Sequence, residues 1–107
     1  MRVIARATLK RFVEKLQGHQ DQKAVKSALD AWFHEAQQAK WKNPADVRKA
    51  YASASIVSAE RVIFNIKGND YRLVAAINYR LQIVFIKWLG SHAAYDKIDV
   101  RTVKYGN

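Results

Sequence analysis

Apolar residues recur along this chain first at helical and then at strand spacing. Leu9, Phe12, Val13 and Leu16 follow the i, i+3, i+4, i+7 order of one helical face, with Thr8 as the expected cap and Gly18 as the stop. Asp21 is the expected cap of a second helix, which turns Val25, Leu29, Trp32, Phe33 and Ala36 to one side. Asn43-Pro44-Ala45-Asp46 reads as a third helix start: an Asn cap, a proline at the first helical position and an acid in the first turn. Val47 and Tyr51 then face inward. Ahead of these helices, Arg2-Val3-Ile4-Ala5 suits a short strand, and the small, polar residues 52–60 suit a connection.

The pattern changes at Arg61. Arg61–Ile66, Tyr71–Tyr79 and Gln82–Leu89 are rich in Val, Ile, Phe and Tyr and are separated by turn residues, so they read as three antiparallel strands. Gly68-Asn69 is a hairpin signal, which places Asn65 opposite Arg72 and Ile63 opposite Val74. A four-residue loop from Tyr79 to Gln82 places Asn78 opposite Ile83, Val74 opposite Lys87 and Leu89 opposite Arg72. A slip of one residue would invert the faces of the third strand. In this register Val62, Phe64, Ile66, Tyr71, Leu73, Ala75, Ile77, Val84, Ile86 and Trp88 form an apolar face for the helices to cover. Arg61, Ile63, Asn65, Lys67, Arg72, Val74, Asn78, Phe85 and Lys87 form the opposite, open and basic face. The expected architecture is α+β, one domain over residues 1–107, with N-terminal helices packed on one face of a twisted antiparallel sheet.

Composition narrows the class. Half of the 107 residues are apolar, enough for a core, and there is no cysteine, which excludes disulfides and thiol chemistry and favours a reducing cytoplasm. No apolar run approaches the roughly 20 residues of a membrane span, and the charged N-terminus does not read as an export signal. The 19 basic residues against 9 acidic ones give a net charge of +10. Residues 1–60 hold eleven of the bases and six of the acids, and residues 61–107 hold eight and three, so each part carries +5. The excess is displayed on folded surface, not on a tail, and points to a polyanion, nucleic acid first. A plain solubility charge is the alternative.

Lys67, Arg72, Lys87, His92 and Tyr95 fall toward one end of the open face and suit cleavage of RNA by internal transesterification. That reaction needs a base for the 2′-hydroxyl, charge stabilisation at phosphorus and an acid for the leaving 5′-oxygen. Histidine suits either proton transfer, arginine offers paired donors to the phosphoryl oxygens, and lysine adds a point charge. Tyr95 suits a proton transfer, a hydrogen bond or stacking on a base. Each residue also has a plain reading: His92 as a turn residue, Tyr95 as core, Lys67 as a solvated charge, Arg72 as the partner of Asp96 or Asp99. Asp96 reads as an orienting group, not a base. Trp32 and Trp41 suit the core, and His19 and His34 suit the surface. Three dispersed histidines without an acid cluster do not make a metal site, and Lys67-Gly68-Asn69 is a turn, not a phosphate loop. The scheme requires no metal and no cofactor.

Val62-Ile63-Phe64-Asn65-Ile66-Lys67-Gly68-Asn69-Asp70-Tyr71-Arg72-Leu73-Val74, followed by Gly90-Ser91-His92-Ala93-Ala94-Tyr95-Asp96, resembles the HigB toxins of the RelE/ParE-like superfamily. The shared pattern rests on Phe64, Asn65, Gly68, Asn69, Arg72, Ser91, His92, Tyr95 and Asp96, and covers about residues 61–103. The resemblance implies a RelE-like fold. It implies an endoribonuclease that cuts mRNA during translation, usually on the ribosome, and so blocks protein synthesis. It also implies a HigA-type helix-turn-helix antitoxin, with operator DNA met only through that complex. His92, Tyr95 and Arg72 fall on its motifs; Lys87, and the RNA contacts assigned to Lys67, Arg80, Arg61 and Asn65, rest on the strand register. A non-catalytic nucleic-acid-binding regulator, and a toxin with a protein target such as gyrase, are the rival readings.

Overall fold

In chain order the computed structural model, which describes residues 1–103, contains β1 (Arg2–Ile4), α1 (Arg6–Lys15), α2 (Gln22–Gln38), α3 (Pro44–Ala50), β2 (Ser55–Ile56), β3 (Arg61–Ile66), β4 (Tyr71–Asn78), β5 (Ile83–Ser91) and α4 (His92–Tyr95). The architecture is α+β, with five strands in one sheet ordered β1-β5-β4-β3-β2. The three strands expected from the Val/Ile/Phe/Tyr runs form its antiparallel centre. The sheet is mixed, not purely antiparallel, because β1 lies parallel to β5. β1 reaches β5 from the far end of the sequence, and no tight turn obliges it to run antiparallel. β2, two residues long, pairs with Ile63 and Val62 inside the expected connection. It is too short to leave a periodic signal.

Amphipathic spacing explains the helix layer. Leu9, Val25, Leu29, Trp32 and Ala36 are buried against Val62, Phe64, Leu73, Ala75, Ile77 and Val84 of the sheet. Phe64 sits at the centre of an aromatic group, edge-on to Trp32 and Tyr51 at 5.3 and 5.2 Å and stacked with Trp41 at 6.1 Å. Burial of these large rings is a main source of cohesion. Asn43 caps α3 as expected, its Oδ1 accepting from the Asp46 N–H at 3.0 Å. Thr8 does not cap α1. The helix starts directly after β1 with Ala5 at the cap position, and Thr8 is buried in its first turns. Asp21 holds the cap position of α2, but its carboxylate is engaged instead by the Tyr71 hydroxyl at 3.1 Å and by Lys67.

The two hairpins set the functional face. Asn65 pairs with Arg72, Ile63 with Val74 and Asn78 with Ile83, as the turn chemistry predicts. Gly68 adopts φ +63° in the first loop, where the Asp70 N–H donates to the Lys67 carbonyl. The expected pairings of Val74 with Lys87 and of Arg72 with Leu89 are wrong by one residue. A bulge intervenes between Val74 and Ala75, so Val74 pairs with Trp88 and Arg72 with Gly90. An inserted residue reverses the alternation beyond it. Leu89 therefore enters the core at 3% exposure, and Trp88 moves from the covered face to the open one. The open face is also narrower than expected. Ile63 and Val74 are buried on it, and Arg61, only 8% exposed, donates from Nη1 to the carbonyls of Val100 and Val103 at 3.1 and 2.8 Å. The chain after α4 thus folds back over the start of β3.

Candidate functional site

The hairpin loop between β3 and β4 is a template for the residues around it. Its Asn69 carbonyl accepts from Arg72 Nη1 at 2.6 Å, and the Asn69 side chain accepts from Asn65 Nδ2 at 3.1 Å. Its Asp70 carbonyl accepts the backbone N–H of His92 at 2.9 Å. One four-residue turn therefore fixes both a strand arginine and the start of α4. The turn is itself tied down. Lys67 Nζ lies 2.8 Å from Asp70 and 3.5 Å from Asp21 at the head of α2. The Asp70 carboxylate holds the Lys67 ammonium above its usual pKa, with Asp21 adding to the effect, and Lys67 in turn holds Asp70 below the usual carboxylate range.

β5 delivers the second half of the site. Ser91 ends the strand and caps α4, its hydroxyl accepting from the Ala94 N–H at 3.2 Å. This short helix presents His92 and Tyr95 three residues apart, the spacing at which helical side chains are neighbours. The His92 side chain is exposed, with Nδ1 4.0 Å from Asp96. The Tyr95 ring lies under the Arg72 guanidinium, 5.8 Å from its carbon to the ring centre, and 6.3 Å from the Trp88 ring. Burial pushes the Tyr95 hydroxyl above its ordinary pKa; Arg72 opposes that shift and Asp96 adds to it. Tyr95, like any tyrosine near its ordinary pKa of 10.0, is a protonated donor at neutral pH, and the shift takes it further from ionisation. Lys87, the inserted residue of the bulge, stands over the Phe85 ring at 5.3 Å on the same face.

Arg72, Tyr95, His92 and Asn65 thus share one end of the open face, while Lys87, at mid-strand, points along that face toward Phe85 and away from them. The expected partnership of Arg72 with Asp96 or Asp99 does not form, since no ion pair engages Arg72 among the described residues. Arg72 instead spends one nitrogen on backbone and rests on Tyr95. The other predicted RNA contacts separate. Lys67 faces the helix layer through Asp21. Arg61 is buried at the opposite end of β3, holding the chain after α4. Arg80 is exposed in the β4–β5 loop, beyond the Asn78 end of β4, which lies about 20 Å from Arg72 at some 3.3 Å per residue. Trp88 is the site residue that the sequence reading missed. Its signal is Gly90 inside a strand, a usual mark of close approach. A Cβ on Gly90 would overlap the Trp88 indole, so the ring lies across the glycine.

Among the described residues no group of three or more His, Cys, Asp or Glu side chains converges to hold a metal ion, and no helix is long and apolar enough to cross a membrane. No curated protein matches the chain. A family model does: residues 25–98 match the HigB toxin family, described as a RelE-like toxic component of a toxin–antitoxin system.

Proposed function

The chain belongs to the HigB family of RelE-like toxins, and an antitoxin is its implied partner; on that premise we propose that it is an mRNA interferase. In this reading it cleaves mRNA on the ribosome, without a metal ion, by attack of a 2′-hydroxyl on the adjacent phosphorus. The observation that carries it is the joint placement of Arg72, His92 and Tyr95 around one hairpin loop on an open, basic face. His92 is exposed and takes the 2′-hydroxyl proton as the oxygen attacks. Arg72, with donors left beyond its bond to Asn69, neutralises the non-bridging oxygens as charge builds on phosphorus. Tyr95, protonated at neutral pH, donates to the departing 5′-oxygen. Lys87 adds positive charge on the approach, and Asn65 is a hydrogen-bonding neighbour of the scissile strand. The products are a 2′,3′-cyclic phosphate and a 5′-hydroxyl. The organism's cytoplasm, where mRNA is translated, is the place of action, with a HigA-type helix-turn-helix protein as the inhibitor.

Induction of the chain without antitoxin, followed by primer extension on cellular mRNA, tests the reading. The wild type is expected to arrest growth and create new 5′ ends. His92→Ala and Arg72→Ala are expected to fold but produce neither effect. Arrest without new mRNA ends would instead indicate a protein target such as gyrase, and RNA binding without scission would indicate a regulator.

A further inference from the structure

β1 pairs with β5 from Ile83 to Phe85, at the beginning of the longer strand. α1 passes beside β5 and leaves a pocket of about 460 Å³, within the roughly 300–1,000 Å³ of small-ligand clefts. Its walls include Phe12, Trp88 and the Ser91–Ala94 side of α4. Two neighbouring rows of α1 face it, Arg11 with Lys15, one turn apart, and Thr8 with Phe12, and Leu16 just past the helix end continues the second. His19 closes one end. The lining contains the cations Arg11 and Lys15 and no carboxylate, and His19 Nδ1 accepts from the Asp21 N–H at 2.9 Å. Two other pockets differ. The groove between α1 and α2 includes Glu14 and Asp30, and the cleft beside Arg80 includes Glu60. Trp88 belongs to this pocket and also touches Tyr95, so its indole is the partition between the pocket and the Arg72–His92–Tyr95 site.

We propose that the α1–β5 pocket is a second nucleotide subsite, which takes a residue of single-stranded RNA flanking the bond cut beside His92. This rests on the mRNA interferase reading and extends it. The aromatic walls offer faces for a base, and Arg11 and Lys15 lie exposed at the rim for its phosphate. A strand crossing Tyr95 and Arg72 passes over Trp88 into the pocket. Part of the charge of residues 1–60 thereby gains a task on α1.

A hexamer of 2′-O-methyl RNA, which binds but cannot be cut, is titrated into the full chain and followed by amide NMR and by affinity at several salt concentrations. The expected shifts fall at Arg11, Lys15, Ser91 and Ala94 as well as at Arg72 and Tyr95. Arg11→Ala with Lys15→Ala is expected to weaken binding about tenfold and to flatten the slope of log affinity against log salt by about 1.4, the share of two phosphate contacts on a single strand. The charge-matched pair Lys10→Ala with Lys26→Ala, in the other groove, is expected to change affinity by less than about twofold. Shifts confined to Arg72 and Tyr95, or equal losses in both double variants, overturn the subsite and leave the interferase reading intact. Failure of the wild type to bind the hexamer, together with absence of mRNA cleavage on induction, overturns both.

Discussion

Replacing Arg61 by methionine separates a structural arginine from an RNA-binding one. The sequence places Arg61 on the basic face; the structure buries it to 8% exposure and spends Nη1 on two backbone carbonyls of the chain after α4. Hydrogen bonds from a charged donor contribute roughly 1.5–3 kcal/mol each, so two amount to about 3–6 kcal/mol. Burying the guanidinium opposes this, and Nε has no partner among the described residues, so removing the charge offsets part of the loss. A net loss of about 2 kcal/mol follows, within the range of disrupted buried polar contacts. For a domain of this size that lowers Tm by roughly 10 °C and the urea midpoint by about 1 M. Thermal and urea unfolding measure the loss. Faster amide exchange at Thr102 and Val103, whose N–H groups bond to the Asp99 carbonyl, locates it. RNA affinity of the folded variant should stay within about twofold of the wild type. A Tm unchanged within about 1 °C, combined with a tenfold loss of RNA affinity, would refute the structural assignment.

Three further outcomes are expected. Gly90→Ala drives the Trp88 indole off its seat and disturbs Tyr95, lowering the cleavage rate by roughly tenfold to a hundredfold while circular dichroism shows the fold retained. Lys67→Met frees the hairpin loop without removing an RNA contact, so kcat falls roughly tenfold with KM nearly constant in single-turnover and steady-state assays. Because Asp70 is held below its ordinary pKa of 3.8 and Lys67 above its ordinary 10.5, their tie is whole between those values. It is lost as pH falls through the depressed Asp70 value or rises through the raised Lys67 value; acid titration followed at the His92 amide should show the Asp70 step at lower pH in the wild type than in Lys67→Met.

Much of the fold was legible because its determinants are local. The stripes of α1 and α2, the Asn43-Pro44 start of α3, and the β3–β4 register at Asn65 and Arg72 all follow from short-range periodicity or turn chemistry. What escaped is long-range. Nothing in Arg2–Ile4 announces a parallel partner 81 residues on at Ile83–Phe85. The bulge at Lys87 puts Leu89 in the core and leaves Trp88 out of it, a choice that alternation alone does not decide. Its effect on the site is large, since it brings Trp88 beside Tyr95 and aligns Gly90 with Arg72. His92, Tyr95 and Arg72 were nameable from chemistry and motif. Lys67 is drawn from the open face by two acids, Asp70 in its own turn and Asp21 at the head of α2, and the second of these is distant in sequence. Arg61 was misplaced because its partners are backbone carbonyls, which carry no side-chain signal.

The attacking group is the central claim, and one atom of the substrate tests it. Ribosomes are programmed with an mRNA whose cut site has first been mapped by primer extension, then with the same mRNA carrying a single 2′-deoxy residue on the 5′ side of that bond. The all-ribo mRNA should be cut in the presence of EDTA, leaving a 2′,3′-cyclic phosphate, and the deoxy mRNA should survive at that position. Cleavage of the deoxy bond, or a 3′-hydroxyl on the product, would contradict transesterification by the Arg72, His92 and Tyr95 site.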